Sequence, residues 1–237
     1  MISLGIGLTS NCNLHCAHCY RDQNRIYDLT LADVRQVCDS IDIGSIGFGT
    51  GENGLNPEYF QIVDYLHSRN IKITLASNGY TLSITPDEEL KYFGDVEFSV
   101  DFPDQARQDK FRGEGNWQTI MAGIERCRRL GIRVSILAVL MNRNYTDLGG
   151  IARLAASFGS NFRVNAYQPM YTEEFMPNFE QYWEAYRIRA AGEYFFGSHR
   201  FKGHALRWPQ YARYPGQETK GLCLLARIGS YHRRPGG

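Results

Sequence analysis

Apolar residues alternate with small or polar ones at the start of the chain, and strand-like apolar runs return five more times. The first eight residues place Ile or Leu at every second position, which is the two-residue period of a β-strand. Five later runs predict further strands, at 43–48, 71–76, 96–100, 134–140 and 162–166. Between the runs, apolar residues recur every three or four positions, as helices require.

Residues that start and stop helices accompany these segments. Thr30 precedes the first helical pattern, Thr85-Pro86 opens a short one, and Pro57 starts another that ends near Asn70. Asn116 is predicted to cap a helix that closes at Gly131. Later helical patterns occupy 146–158 and about 178–191.

Six strand–helix units in sequence predict an α/β fold with a parallel sheet and right-handed crossovers. A curled partial barrel and an open doubly wound sheet both satisfy this pattern. In a barrel, catalytic groups lie on the loops after the strands. Beyond Gly192 the pattern gives way to Gly, Pro, Arg and aromatic residues. We therefore expect a core over 1–192 and a short irregular extension over 193–237.

Composition narrows the class of protein. Of 237 residues, 43% are hydrophobic and 22% charged, and the net charge is +1, which is typical of a globular protein. Residues 198–237 hold eight Lys and Arg against one acid, a local charge of +7, so 1–197 carry −6. Such an end suits an acidic partner or a solvated face. With no targeting signal and no membrane-length apolar stretch, we expect a cytoplasmic protein with reduced thiols.

Three cysteines follow the first strand with the spacing C-x3-C-x2-C: Cys12, Cys16 and Cys19. Iron–sulfur clusters are usually held by four thiolates, so three would leave one iron open to an external ligand. A zinc site completed by His15 or His18 is the alternative. The cysteines at 38 and 127 occupy apolar helix positions and are predicted to be core residues.

The cysteine loop after a first strand resembles the radical S-adenosylmethionine (SAM) superfamily, and the resemblance extends over about 190 residues. It implies a partial (β/α)6 TIM-like barrel. Residues 48–57 are similar to the family's glycine-rich GGE-P segment and match it at Gly51 and Glu52, whereas Thr50 and Asn53 depart from it. By this resemblance, the segment contacts the amino end of SAM, and Glu52 pairs with the ammonium.

Three further segments resemble family motifs, each after a predicted strand. Ser77-Asn78-Gly79 is similar to the TNG turn, and Ser99 with Asp101 resembles the S-x-D segment that reaches the SAM ribose or carboxylate. Residues 109–113 resemble the D-x-x-R-G segment, which implies that Arg112 binds the SAM carboxylate. Their order along one rim gives these short motifs their weight.

The resemblance also implies an activity. A reduced [4Fe–4S] cluster cleaves SAM to methionine and a 5′-deoxyadenosyl radical, which abstracts a hydrogen atom from the substrate. Residues 220–237, with Cys223, resemble the opening of the SPASM extension of peptide-modifying members. The expected substrate is therefore a ribosomally made precursor peptide, and excision of a backbone tyramine unit, as in maturases of Nif11-type peptides, is one form of the reaction.

Partners follow from the same expectation. We expect a separate leader-binding protein, an electron donor such as flavodoxin or ferredoxin, and neither a membrane nor a nucleic acid. The alternatives are peptide epimerisation or thioether formation, a small-molecule substrate, and, from a different class, a zinc-binding module whose basic tail contacts an acidic partner.

Overall fold

The computed structural model describes residues 1–193, which form six strands and eight α-helices. The strands are β1 (Ile2–Ile6), β2 (Ile43–Phe48), β3 (Lys72–Ser77), β4 (Phe93–Ser99), β5 (Val134–Leu140) and β6 (Asn161–Ala166). The helices are α1 (Leu31–Ser40), α2 (Tyr59–Ser68), α3 (Tyr80–Ile84), α4 (Asp87–Leu90), α5 (Gln105–Arg112), α6 (Asn116–Arg129), α7 (Leu148–Ser157) and α8 (Phe179–Glu193). A 3₁₀ turn, Asn53–Leu55, precedes α2.

All six strands are parallel, and their order in the sheet is their order in the sequence. A doubly wound sheet reverses its strand order at a switch point, whereas a barrel does not. The expected partial TIM-like barrel is therefore confirmed as a curled half-barrel, and the doubly wound alternative is wrong.

The hydrophobic core lies between the outer face of the sheet and the helices. Phe98 of β4 is fully buried there, and a Cβ atom added to Gly123 of α6 would lie 2.7 Å from its ring. Burial of such a side chain contributes about 1.5–3 kcal/mol. Cys38 and Cys127 are 7% and 0% exposed, so both are core residues as predicted.

The inner face of the half-barrel carries small and polar residues instead. Gly5 of β1 lies beside Gly47 of β2, and Thr74 of β3 lies beside Asp95 of β4. Closed barrels fill these positions with bulky branched side chains. No atom lies within 4 Å of a Cβ built on Gly5, so space remains over this part of the inner face.

Several helix boundaries confirm the sequence signals, and others correct them. Thr30 caps α1 in a capping box with Asp33, and Gly131 adopts the left-handed conformation (φ +71°) that ends a helix. Asn116 does not cap α6, because left-handed Gly115 holds that position and Asn116 begins the helix. The helix expected from Pro57 begins at Tyr59, after the 3₁₀ turn.

Helices α3 and α5 were not predicted. Among the described residues, none of the helices combines the length and the apolar character that crossing a bilayer requires. The predicted extension, with Cys223 and the basic tail, lies outside the described residues.

Candidate functional site

The three predicted cysteines lie in the long connection between β1 and α1, at the rim where the strands end. Two buried amides fasten the start of this connection. The Leu8 N–H donates to Asn53 Oδ1 at 2.9 Å, and Asn56 Nδ2 donates to Leu8 O at 2.7 Å. Both amides follow β2, so the cysteine loop and the glycine-rich segment are held together.

A buried arginine that the sequence analysis missed closes the cysteine loop. Arg21 is 8% exposed; its Nη1 donates to Ser10 O at 3.0 Å and its Nη2 donates to Leu14 O at 2.7 Å. The guanidinium thereby bridges backbone on both sides of Cys12. No sequence signal marks this role, because the partners are backbone carbonyls.

The three thiols differ in burial. Cys16 is buried, whereas Cys12 and Cys19 are partly exposed. Burial raises the pKa of Cys12, and it raises the pKa of Cys16 to about 11 although the charge of Arg112 works to lower it. The free Cys12 and Cys16 thiols are therefore protonated near neutral pH, and a bound metal would have to displace their protons.

The donor set fits an iron–sulfur cubane better than a zinc ion. Within residues 1–193, no three His, Cys, Asp or Glu side chains converge on a point where one ion could be held. His15 Nδ1 lies 3.1 Å from Gln23 Oε1, and the His18 ring stacks on Phe111 with centroids 4.8 Å apart. Structural zinc needs four converging ligands, whereas the irons of a cubane occupy separate corners.

Gly51 lies where the glycine-rich segment meets the cysteine loop. Its φ is +66°, and a Cβ atom would lie 2.2 Å from Thr9 O and 2.6 Å from Asn11 O. The next residue also joins the two loops, because the Glu52 N–H donates a hydrogen bond to Asn11 O at 2.7 Å. A glycine is therefore required here by the approach of the two loops.

Thr50, which departs from the family pattern, also has a left-handed backbone, with φ +64°. A β-branched residue in this region is strained. Its hydroxyl lies 2.6 Å from Tyr20 Oη, which ties the strained turn to the residue after the last cysteine.

The carboxylate of Glu52 is 1% exposed and is fully engaged within the fold. Its Oε1 accepts from the Thr81 N–H at 2.8 Å and from the hydroxyls of Ser77 and Thr81, and its Oε2 accepts from the Asn78 N–H at 2.9 Å. Burial raises the pKa of Glu52, against the effect of these hydrogen bonds. In this geometry the side chain holds the turn after β3, and its expected pairing with the SAM ammonium stays a prediction.

The side chains of Asp101 and Arg112 form a buried ion pair. Arg112 donates from Nε (2.8 Å) and Nη2 (2.7 Å) to Asp101 Oδ2, and the two side chains are 9% and 0% exposed. His18 Nε2 lies 3.5 Å from the same oxygen, and burial lowers the His18 pKa to about 4 although Asp101 opposes this. Two nitrogens of the Arg112 guanidinium are therefore engaged by a carboxylate of the protein, and binding of the SAM carboxylate by Arg112 stays a prediction.

Buried amides that the sequence analysis did not select connect the strand ends. Gln108 Oε1 accepts from the Asp101 N–H at 3.0 Å, while Gln108 Nε2 donates to Ser99 O at 3.1 Å and Asn116 Oδ1 at 2.9 Å. Asn144 Nδ2 donates to Asp101 O at 3.0 Å. This network fixes the ends of β4 and β5, and it holds half-buried Ser99 through its backbone.

The structure brings the cysteine loop, Asn78 and the Asp101–Arg112 pair together at one rim. Asn78 lies beside Cys12, with its Nδ2 3.5 Å from the Cys12 Sγ. Cys16 Sγ lies 3.7 Å from Arg112 O, which joins the cysteine loop to the end of α5. The rim therefore combines thiols, a buried ion pair and a rigid amide network.

Relatives in sequence match part of this chain. The sequence profile of the radical SAM superfamily matches residues 6–155. The mycofactocin maturase MftC of Mycobacterium tuberculosis is 26% identical over 172 residues, covering 68% of this chain and 44% of MftC. The AdoMet-dependent heme synthase of Methanosarcina barkeri is 28% identical over 164 residues, covering 65% of this chain and 46% of the synthase. The chain spans less than half the length of these relatives.

Solved structures share the fold. The enzyme anSMEcpe with bound AdoMet superposes with a TM-score of 0.67 at 18% identity, covering 82% of this chain and 61% of that one. SuiB of Streptococcus suis bound to S-adenosylmethionine gives 0.65 at 14% identity, covering 82% and 47%. Because the profile covers more than half of its residues, this chain belongs to the radical SAM superfamily, whose members use a [4Fe–4S] cluster and S-adenosylmethionine.

Proposed function

We propose that Cys12, Cys16 and Cys19 hold a [4Fe–4S] cluster whose fourth iron binds SAM. The observation that carries this is the cysteine loop fastened at the strand-end rim, which presents three thiols. Among the described residues, no three His, Cys, Asp or Glu side chains converge as a single-ion site would require. When bound and reduced, the cluster supplies the electron that cleaves SAM to the 5′-deoxyadenosyl radical. The chain's own residues would orient SAM and exclude competing hydrogen donors.

For SAM binding, we propose that the six rim residues divide into two groups. Gly51 and Glu52 would contact SAM through their backbone. No side chain fits at Gly51, and the Glu52 carboxylate already accepts hydrogen bonds from the protein. Asn78, Ser99 and the Asp101–Arg112 pair would shape the rim around the ligand. In this proposal the charge of Arg112 is largely balanced by Asp101, so SAM would meet a neutral buried pair.

The proposed substrate is a precursor peptide, whose modification would begin with hydrogen abstraction. MftC is named a mycofactocin maturase, and SuiB has been solved bound to its precursor peptide SuiA. The space over Gly5 supports an extended substrate, because bare strand backbone admits close approach of another chain. Tyramine excision remains a specific hypothesis about the bond that is changed.

The organisation and partners are proposed on the same basis. Residues 1–192 would form the catalytic core, and 193–237 would begin a further region. A leader-binding protein would deliver the peptide, and flavodoxin or ferredoxin would supply electrons in the cytoplasm.

The test is anaerobic reconstitution with iron and sulfide. We expect about four iron and four sulfide ions per chain and SAM cleavage by a reductant. Joint replacement of the three loop cysteines by Ala should abolish both. Cys38→Ala is the matched control, because this thiol is buried on α1, and it should keep both. Cleavage of SAM by the triple variant would contradict the ligand assignment.

A second candidate substrate is a tetrapyrrole, which the similarity to the heme synthase of Methanosarcina barkeri favours. The two are separated by incubating the reconstituted chain with SAM, reductant and either coproheme or a peptide encoded beside its gene. A mass change in the peptide supports maturation, with the loss of a tyramine unit as its most specific form. A change in the tetrapyrrole alone would replace the peptide proposal.

A further inference from the structure

The side-chain amide of Asn78 has one defined orientation. The Tyr80 N–H donates to Asn78 Oδ1 at 3.0 Å, which identifies the oxygen and places the nitrogen on the opposite side. The two hydrogens of Nδ2 then face two partners, Asn13 Oδ1 at 2.8 Å and Cys12 Sγ at 3.5 Å. The amide therefore presents a donor to the sulfur.

The backbone of Asn78 is held as firmly as its side chain. Its N–H donates to Glu52 Oε2 at 2.9 Å, and its carbonyl oxygen accepts from Asn116 Nδ2 at 2.9 Å. The residue is 6% exposed. With the cap to Tyr80, three independent contacts fix this amide, so its direction does not depend on the sulfur.

Hydrogen-bond donors differ between the loop thiols. Cys12 Sγ receives a second donor, the Leu14 N–H, at 3.4 Å. Cys16 Sγ instead faces a carbonyl oxygen, Arg112 O, at 3.7 Å, which accepts from a thiol and offers no proton to a thiolate. Hydrogen bonds to the ligand sulfurs are among the features that set the potential of an iron–sulfur cluster.

We infer that Asn78 is a positioning residue that donates to the Cys12 thiolate and raises the reduction potential of the cluster. This rests on the proposed function, because it requires Cys12 to be a ligand. The physical reason is that the reduced cluster carries more negative charge than the oxidised one, so an N–H aimed at its sulfur stabilises the reduced form more. Glu52 would act through this residue by holding the turn.

The test is a redox titration of the reconstituted full chain, followed by electron paramagnetic resonance. Asn78→Ser keeps an acceptor for the Tyr80 N–H but cannot reach the sulfur. Asn78→Asp keeps the acceptor and replaces the donor by a negative oxygen. Both variants should titrate at a more negative midpoint than wild type, and Asn78→Asp should shift further.

Two controls separate this effect from general loosening or added charge. Asn116→Ser disturbs the same amide network without removing the donor to Cys12. Asn70→Asp adds a charge in the exposed turn before β3, at the end of the strands away from the rim. Both controls should keep the wild-type midpoint. Normal cluster content with an unshifted Asn78→Ser midpoint, or an equal shift in Asn116→Ser, would overturn the inference. Failure of the wild-type chain to hold any cluster would contradict the proposed function instead.

Discussion

Replacement of Glu52 by Gln is the change with the most defined consequence. In the least disruptive placement, the new amide oxygen keeps the donors at the Oε1 position, and the new NH2 group faces the Asn78 N–H. One charge-assisted backbone hydrogen bond is lost, and its donor is left buried without a partner. Each such loss costs about 1.5–3 kcal/mol, and the remaining hydrogen bonds become neutral and weaker. We expect the free energy of unfolding to fall by about 2–4 kcal/mol.

The measurement is denaturant unfolding of the metal-free chain, followed by circular dichroism. Glu125→Gln is the matched control, because Glu125 lies on the exposed face of α6 in an (i, i+3) ion pair with Arg128, with side chains 75% and 50% exposed. Such surface pairs contribute at most about 1 kcal/mol. A loss in Glu52→Gln no larger than in the control would refute the view that this carboxylate clamps the turn.

The stability difference between wild type and Glu52→Gln should also depend on pH. Burial raises the pKa of Glu52 in the folded chain, with the hydrogen bonds opposing it. A raised folded pKa gives a contribution to stability that is complete below the unfolded pKa and declines as pH rises through the folded pKa. The Glu52→Gln variant has no titrating group there, so its deficit relative to wild type should be larger at mildly acidic than at mildly alkaline pH. A deficit that grows with pH would contradict the sign.

Three further substitutions test individual positions on the rim and the inner face. Arg112→Met leaves its buried aspartate partner unpaired and should lower the free energy of unfolding by about 3–5 kcal/mol, measured by denaturant titration; a loss below 1 kcal/mol would contradict burial of the pair. Gly51→Ala forces a Cβ against backbone at 2.2 Å and should cost more than Gly115→Ala, which has the same left-handed strain of about 1–2 kcal/mol but open space; equal midpoints would refute this. Gly5→Val should keep the fold and SAM cleavage but reduce peptide modification roughly tenfold or more, equivalent to about 1.4 kcal/mol of binding. The control Gly94→Val, at the opposite end of the strands, should leave peptide modification unchanged. Unaltered peptide modification in Gly5→Val would exclude the inner face as the peptide site.

The regular part of the fold could be predicted because its apolar periods are strong. Strands β2 and β5 have the predicted bounds, and Thr30 caps α1 as expected. Helix α5 could not be predicted from periodicity, because its one fully buried side chain is Gln108, which is held by hydrogen bonds and not by apolar contact. The polar α5 therefore carries no hydrophobic pattern to recognise.

The candidate site divides in the same way. The three cysteines are close in sequence, so their spacing alone predicts a shared ligand. The ion pair between Arg112 and Asp101 could not be predicted, because a sequence does not reveal which carboxylate of the fold a guanidinium meets. Buried Asn53 and Asn56 look like ordinary turn residues, and only their contacts with Leu8 reveal that they anchor the cysteine loop.

The most direct test of the central claim addresses the fourth iron of the cluster, which none of the three loop cysteines would bind. Chain reconstituted without oxygen and reduced should give the electron paramagnetic resonance signal of a [4Fe–4S] cluster, and added SAM labelled with nitrogen-15 or oxygen-17 on its methionine end should produce hyperfine coupling to that iron. A reduced cluster whose signal is unchanged by SAM and shows no coupling would mean that a fourth side chain already fills the position, and the account would be wrong.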